Sequence, residues 1–278
     1  MSGLSFTLAD RRSRVAAVAF CAGILALVAG CSAGTTSSTA ANSASPRTAL
    51  ILAADQAKRV TSMTASFSSQ VSGNAAQDFA GTMQSQLKPT LMAEVTANVM
   101  ASGQSMHLTE ILTDKAIYLK AAELSKETGK PWIKIPFSDL GGSQGALFSQ
   151  LVQGAQNDNP AQQITMASAS KNVRVAGTQV IDGVRTTEYT GSYTAAAALA
   201  KLTPSQRKTL GADLKGLSGQ VHCAEWIDAQ HQTRKAVITE TVSGEHVTLT
   251  FNITSINEPV NIVLPRPRHV ALLPAGSL

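Results

Sequence analysis

Strict alternation of apolar and polar residues is the sequence feature that most constrains what this chain can fold into. The alternation is cleanest between residues 247 and 254, where the apolar positions are Val247, Leu249, Phe251 and Ile253. Residues 63–71 and 91–100 follow the same period of two. Successive side chains of a strand point to opposite faces of a sheet, so this period predicts long strands with one apolar and one polar face.

Turn and cap signals place further elements around these strands. Asp182-Gly183 separates two alternating segments and is typical of a type I′ hairpin turn. Ser45 followed by Pro46 predicts a helix that begins at Pro46 and ends near Val60. Apolar spacing and helix-start signals predict four further helices, at residues 143–156, 160–168, 194–202 and 203–217. Alternation predicts a last strand at residues 260–264.

These elements predict the α+β fold class. About eleven antiparallel strands with a few helical connections would form one large curved sheet. The domain is expected over residues 46–268, followed by a C-terminal tail at 269–278. The helices must bury their apolar sides, and the apolar face of the sheet is the only large surface available for this.

Composition limits the interior and the partners. Hydrophobic residues make up 44% of the chain but aromatic residues only 4%, so the interior is built largely from small and flexible side chains. The net charge of +5 is spread without a dense basic stripe, which argues against nucleic-acid binding. A mild positive charge suits anionic lipid head groups, but many proteins carry as much.

The N-terminal 30 residues have the organisation of an export signal. Arginines precede an uncharged apolar run at 15–29, which is too short for a comfortable transmembrane helix. Val28-Ala29-Gly30-Cys31 resembles the bacterial lipobox, which implies cleavage after Gly30 and a diacylglyceryl and N-acyl lipid on Cys31. The alternative is an ordinary secretory signal or an uncleaved anchor that happens to contain a cysteine. Residues 31–45 would then be the lipidated cysteine and a flexible Ser/Thr/Ala tether reaching roughly 20 Å.

Motifs that carry catalytic or metal chemistry are mostly absent. Ser168 and Ser205 each begin an S-x-x-K pattern, but the companion motifs of Ser/Lys acyl-transferring enzymes are missing. The histidines and cysteines lack metal-ligand spacing, and His222 and Cys223 are neighbours that a strand points to opposite faces. Cys223 is expected to be a small buried apolar residue. The sequence therefore predicts a protein that is not an enzyme and has no metal site or cofactor besides the lipid on Cys31.

Three stretches resemble the actinobacterial lipoproteins of the LppX/LprG type, whose fold is similar to that of LolA and LolB. They are LTDKAIYLK with KPWIKIPFSDLG, then VRVAGTQVIDGVRTTEYTGSY, and AEWIDAQHQTRKAVI continuing to VTLTFNITSINEPVNIVLPRP. The similarity covers residues 47–267 as a pattern. It implies a half-barrel sheet whose concave face is covered by helices, with an apolar cavity between them.

The resemblance also implies a function. Relatives bind and shuttle acylated lipids or lipoglycans, so the chain is expected to do this as a monomer on the extracytoplasmic face of the cell membrane, with an envelope transporter as a candidate partner. Apolar positions on the predicted strands and helices are candidates for lining the cavity, although they could equally be ordinary core residues. They are Phe67, Val95, Leu108, Leu147, Leu151 and Phe251. Lys126 and Lys130 are candidates for head-group contact, although a solvated loop charge is the simpler interpretation. The alternative function is a non-enzymatic envelope sensor or chaperone that binds a protein partner.

Overall fold

Twelve strands hydrogen-bond into one continuous sheet. The structure is a computed structural model and describes residues 45–72, 78–101, 104–139, 170–194, 196–197, 200, 217–242 and 244–272. The strands are β1 Ser62–Ser72, β2 Asp78–Gln86, β3 Met92–Ala101, β4 Gln104–Thr113, β5 Ala116–Ala121, β6 Trp132–Pro136, β7 Lys171–Ile181, β8 Val184–Thr194, β9 Leu217–Asp228, β10 Thr233–Val242, β11 Glu245–Ile256 and β12 Val270–Leu272. The helices are α1 Pro46–Ala57 and α2 Ala122–Thr128, with single 3₁₀ turns at Phe137–Asp139 and Pro267–His269.

The order of strands across the sheet is β12-β6-β5-β4-β3-β2-β1-β11-β10-β9-β8-β7. The first six strands form one meander, β7 to β11 form a second, and the pairing of β1 with β11 joins the two. All neighbours are antiparallel except β12 and β6, which run parallel. Among the described strands β7 and β12 end the sheet without pairing to each other, so the sheet is not closed.

The large, mostly antiparallel sheet predicted from the sequence is therefore confirmed, with twelve strands instead of about eleven and with one parallel pair. The α+β class needs correction, because the described part of the chain has two short helices and is mostly β. The other predicted helices, at 143–156, 160–168 and 203–217 and most of 194–202, lie outside the described residues. The curvature of a half-barrel and the helical cover of a concave face stay predictions.

The local signals at the two clearest turns are confirmed. The Oγ atom of Ser45 accepts a hydrogen bond from the backbone N–H of Thr48 at 3.2 Å, and Pro46 is the first residue of α1. Asp182 and Gly183 connect β7 to β8 with φ angles of 47° and 78°, as a type I′ turn requires.

The predicted strand at 260–264 is wrong, because this segment has no regular structure. Three prolines within residues 259–267 remove backbone donors that a strand ladder would need. Side chains of the sheet hold the segment instead: the Ser62 hydroxyl donates to the carbonyl of Glu258 at 2.6 Å, and the Gln84 side-chain amide donates to the carbonyl of Asn261 at 3.2 Å. The chain thereby crosses the sheet and reaches β6, where β12 pairs.

Candidate functional site

One face of the sheet carries a single large group of buried apolar side chains, called the apolar face from here on. Its residues are Met63, Ala65, Phe67, Met83, Leu91, Ala93, Val95, Ala97, Leu108, Leu112, Ile117, Leu119, Ala121, Ile133, Ile135, Tyr193, Val221, Ile238, Val247, Leu249, Phe251 and Ile253. They occupy ten neighbouring strands, from β6 to β8 in the sheet order. At a strand spacing of about 4.8 Å, this apolar face is roughly 43 Å across.

Strand register explains why these side chains share a face. Ile253 of β11 lies opposite Ala65 of β1, Ala65 lies opposite Met83 of β2, and Met83 lies opposite Val95 of β3. Side chains in register across neighbouring strands project from the same face. The alternation read from the sequence therefore becomes a continuous apolar surface only through the pairing of strands from both meanders.

The structure places the predicted cavity residues as follows. Phe67, Val95, Leu108 and Phe251 lie on the apolar face and are at most 4% exposed. The Phe67 ring is 6.0 Å from that of Phe79 and 6.4 Å from that of Phe251, measured between ring centroids. Their role in lining a cavity stays a prediction, and Leu147, Leu151, Gly30 and Cys31 lie outside the described residues.

The two lysines proposed for head-group contact are exposed near the β6 end of the sheet. Lys126 lies in the last turn of α2, and the ammonium of Lys130 donates to the backbone carbonyl of Arg268 at 2.9 Å. Lys130 therefore helps to hold the segment that leads into β12. The structure brings neither lysine into the group of residues that forms the apolar face.

The two described helices pack at opposite ends of the sheet. Leu50 and Ala53 of α1 pack with Ile227 of β9, and α1 also contacts β7. Helix α2 contacts β5 and β6, and its Leu124 packs against the apolar face. Neither of these two helices makes extensive contact with the central strands β4 to β11, where most of the apolar face lies.

Glu110 is a carboxyl group on this apolar face. It lies on β4 between Leu108 and Leu112, opposite Val95 of β3 and Leu119 of β5, and it is 2% exposed. Burial raises the pKa of Glu110 to about 8 because the surroundings disfavour the ionised form. Its Oε2 atom has no hydrogen-bond partner within the described residues.

Sequence reasoning missed Glu110 although the signal is present. In MHLTEILT the apolar side chains Met106, Leu108 and Leu112 follow a period of two, and Glu110 occupies the same phase. A single acidic residue in phase with apolar ones matches no catalytic or metal-binding motif. Period and residue type together identify it as a buried carboxyl.

The opposite face carries three lysine side chains, each lying over an aromatic ring. The ammonium groups of Lys235, Lys134 and Lys120 lie 4.6, 5.7 and 5.8 Å from the ring centroids of Trp226, Tyr118 and Trp132. These distances fit cation–π attraction, which fixes the long lysine side chains along the surface. In the described residues, these lysine–ring pairs distinguish the opposite face from the apolar face.

The described residues were also candidates for catalytic or metal-binding sites by residue type, and their arrangement is as follows. Within the described ranges, no three His, Cys, Asp or Glu side chains are grouped so that they could hold a metal ion. Ser168 and Ser205 of the S-x-x-K patterns fall outside those ranges. Cys223 is a free thiol, half-buried, at the junction between the apolar face and the side chains that α1 covers. No helix in the described part of the chain is long and apolar enough to cross a membrane.

A curated protein and several solved structures are similar to this chain. No protein-family model matches the sequence. An uncharacterized 31.2 kDa protein of Streptomyces griseus, from the rplA-rplJ intergenic region, is 26% identical over 143 residues, which are 51% of this chain and 47% of that protein. The match thus spans about half the length of the curated relative.

Two solved structures are similar over most of this chain. The lipoprotein LppX of Mycobacterium tuberculosis has 18% identity and a TM-score of 0.48, with 77% of this chain and 96% of LppX covered. LprF of Mycobacterium bovis has 16% identity and a TM-score of 0.49, with 81% and 99% covered. The structural likeness to lipoproteins of this type, expected from the sequence, is found, and at these scores it says nothing about the ligand of this chain.

Proposed function

We propose that this protein is a lipid-anchored protein of the cell envelope that binds acyl chains of lipids or lipoglycans on the apolar face of its sheet. The extent of that face is the observation that carries the proposal. It continues over ten strands, and the two described helices pack at the two ends of the sheet. An elongated dry surface suits extended hydrocarbon chains better than a compact polar ligand.

Acyl-chain binding needs few specific contacts. Each CH₂ group transferred from water to an apolar surface contributes about 0.8 kcal/mol, so a long chain binds tightly through its length alone. Small side chains such as Ala65, Ala93 and Ala97 leave more room on the face than aromatic rings would. The lack of a diagnostic motif in the sequence is expected for a site of this kind.

The lipid on Cys31 would serve as the anchor and a lipid on the apolar face as the cargo. Two or three acyl chains on the cysteine hold a protein stably at a membrane. The tether at residues 31–45 then keeps the domain within roughly 20 Å of the surface. This arrangement supports loading of lipid from the outer leaflet and its delivery to an envelope transporter.

The test uses the full chain with Cys31→Ser, so that the covalent lipid cannot be confused with cargo. Native mass spectrometry of the purified protein should show co-purified lipid, and the delipidated protein should take up a fluorescent fatty acid. A folded protein, judged by circular dichroism, with neither bound lipid nor probe uptake would contradict the proposal.

A protein-binding role is the second candidate, and the edge strand β7 is the observation that favours it. This strand has eleven residues and, within the described residues, pairs only with β8; Val180 on it is 64% exposed. A free edge of this length could accept a strand from another protein. A photo-crosslinking residue at Val180 should then capture one envelope protein in stoichiometric amount, whereas the same residue at the exposed position Val263 should not.

A further inference from the structure

Glu110 is a buried polar group on the apolar face that the packing of the sheet does not explain. Its neighbours along β4 and across to β3 and β5 are aliphatic: Leu108, Leu112, Val95 and Leu119. A leucine or valine would suit this position better if the only requirement were a dry core. The side chain is nevertheless fully buried, at 2% exposure.

The carboxyl oxygen Oε2 of Glu110 lacks a hydrogen-bond partner in the described part of the chain. Leaving a buried polar atom unpartnered costs about 1–3 kcal/mol. Native proteins satisfy most such atoms, so an unpartnered one on a candidate binding surface points to a group supplied from outside. Ser85 supports this reading, since its buried Oγ on β2 is also unpartnered within the described residues and lies on the same face, about 12 Å from Glu110 by strand spacing.

The chemistry of the missing partner follows from the protonation state. With its pKa raised to about 8, Glu110 is mostly neutral at pH 7 and carries a proton on its carboxyl group. A neutral carboxylic acid can donate one hydrogen bond. An uncharged oxygen acceptor therefore complements it, whereas an ammonium group would require the ionised form.

Building on the proposed function, we infer that Glu110 is a ligand-binding residue that donates a hydrogen bond to the ester carbonyl of an acylated ligand lying on the apolar face. The acyl chain then runs over the aliphatic side chains on either side. The hydrogen bond fixes the position of the acyl chain along the sheet. Hydrocarbon burial supplies the affinity, and Glu110 supplies the preference for an ester over a plain hydrocarbon.

The experiment compares three probes of equal chain length: a fatty-acid methyl ester, an alkane and an alkylamine. Their dissociation constants are measured for the full chain with Cys31→Ser and for the same chain with Glu110→Gln or Glu110→Leu. Glutamine keeps a donor of similar size, while leucine keeps only the volume. Ile111→Val, on the same strand but on the opposite face of the sheet, controls for a small change of packing in β4 without a change of polarity.

The parent chain should bind the ester about three- to tenfold more tightly than the alkane, as one net hydrogen bond predicts. Glu110→Gln and Ile111→Val should keep this preference, and Glu110→Leu should abolish it with little change in alkane binding. An undiminished ester preference in Glu110→Leu would overturn the inference. A preference of the parent chain for the alkylamine that is lost in Glu110→Gln would also overturn the inference, because binding an ammonium group requires the ionised form of Glu110.

The same probes separate this inference from the proposed function. Equal binding of ester and alkane by the parent chain would overturn the role of Glu110 and leave acyl-chain binding standing. Absence of binding for all three probes, in every variant that is folded by circular dichroism, would overturn both.

Discussion

The ring of Phe67 lies directly over Gly81, with its Cζ atom 2.8 Å from the point where a Cβ of residue 81 would sit. The two residues are opposite each other on β1 and β2. The same Cβ position would also collide with the backbone carbonyl oxygen of Thr96. Residue 81 of β2 therefore has no room for a side chain beneath the Phe67 ring.

Gly81→Ala should destabilise the fold, by about 3 kcal/mol in the free energy of unfolding, because the added methyl group collides with backbone as well as with the ring. Urea denaturation checks this. Gly177→Ala is the matched control, since its added Cβ would meet only the Glu188 carboxylate at 4.0 Å. The control should be neutral or slightly stabilising, and equal losses in the two variants would contradict the steric argument.

The buried carboxyl of Glu110 should make stability depend on pH. The carboxyl has its ordinary pKa of about 4.5 in the unfolded chain, and burial raises the pKa to about 8 in the folded chain, so the folded chain holds the extra proton between these values. The free energy of unfolding therefore falls as pH rises from about 5 to 8, by up to about 1.4 kcal/mol per pH unit, and the contribution is fully present only below this range.

Glu110→Gln should flatten that dependence, which urea denaturation at several pH values measures. Burial also raises the pKa of Glu240, which adds a slope of the same sign, so the difference between parent and variant isolates Glu110. Glu258→Gln, at an exposed carboxyl, should keep the parent slope. A Glu110→Gln variant with the full parent slope would contradict the assignment.

Asp228 organises the turn between β9 and β10. Its buried carboxylate accepts from the backbone N–H groups of Gln230 and Gln232 at 2.9 Å each, and from Nε of Arg234 at 2.8 Å. Asp228→Ala should lower the free energy of unfolding by about 3 kcal/mol, because it leaves two backbone donors and a half-buried guanidinium without their acceptor.

Asp55→Ala is the control for this prediction, since it removes a half-exposed carboxylate that pairs with Lys58 on the surface of α1. Exposed pairs of this kind contribute about 0.5 kcal/mol or less. Thermal unfolding of both variants measures the loss of stability in each. A loss in Asp228→Ala no larger than that in Asp55→Ala would show that the turn does not depend on the buried carboxylate.

Cys31→Ser should abolish covalent labelling of the protein by a radiolabelled fatty acid, because the thiol that would carry the acyl chains is gone. Metabolic labelling of cells followed by isolation of the protein measures this. Cys223→Ser removes the other thiol of the predicted mature chain and should keep the label. Equal labelling of Cys31→Ser and the parent chain, or an unlabelled parent chain, would contradict lipidation at Cys31.

Much of the fold could be predicted from local patterns. The period of two around Val95 and Phe251 identified strands and their buried sides, and Ser45, Pro46, Asp182 and Gly183 identified a helix start and a hairpin turn. These signals are local, because they depend on side-chain direction and backbone preference over a few residues. The strand predicted at 260–264 does not form, because the composition of this segment suits a strand while its neighbouring prolines do not.

The sequence by itself determined which residues of several strands would be apolar and where two clear turn and cap signals fall. Only the tertiary structure decided that β1 pairs with β11, which merges two meanders into one apolar face, and that Glu110 lies buried on that face. Pairing between residues such as Phe67 and Phe251, which are far apart in the chain, depends on mutual burial across the whole sheet. The free energy of this burial depends on all the paired strands together, so no local sequence pattern predicts it.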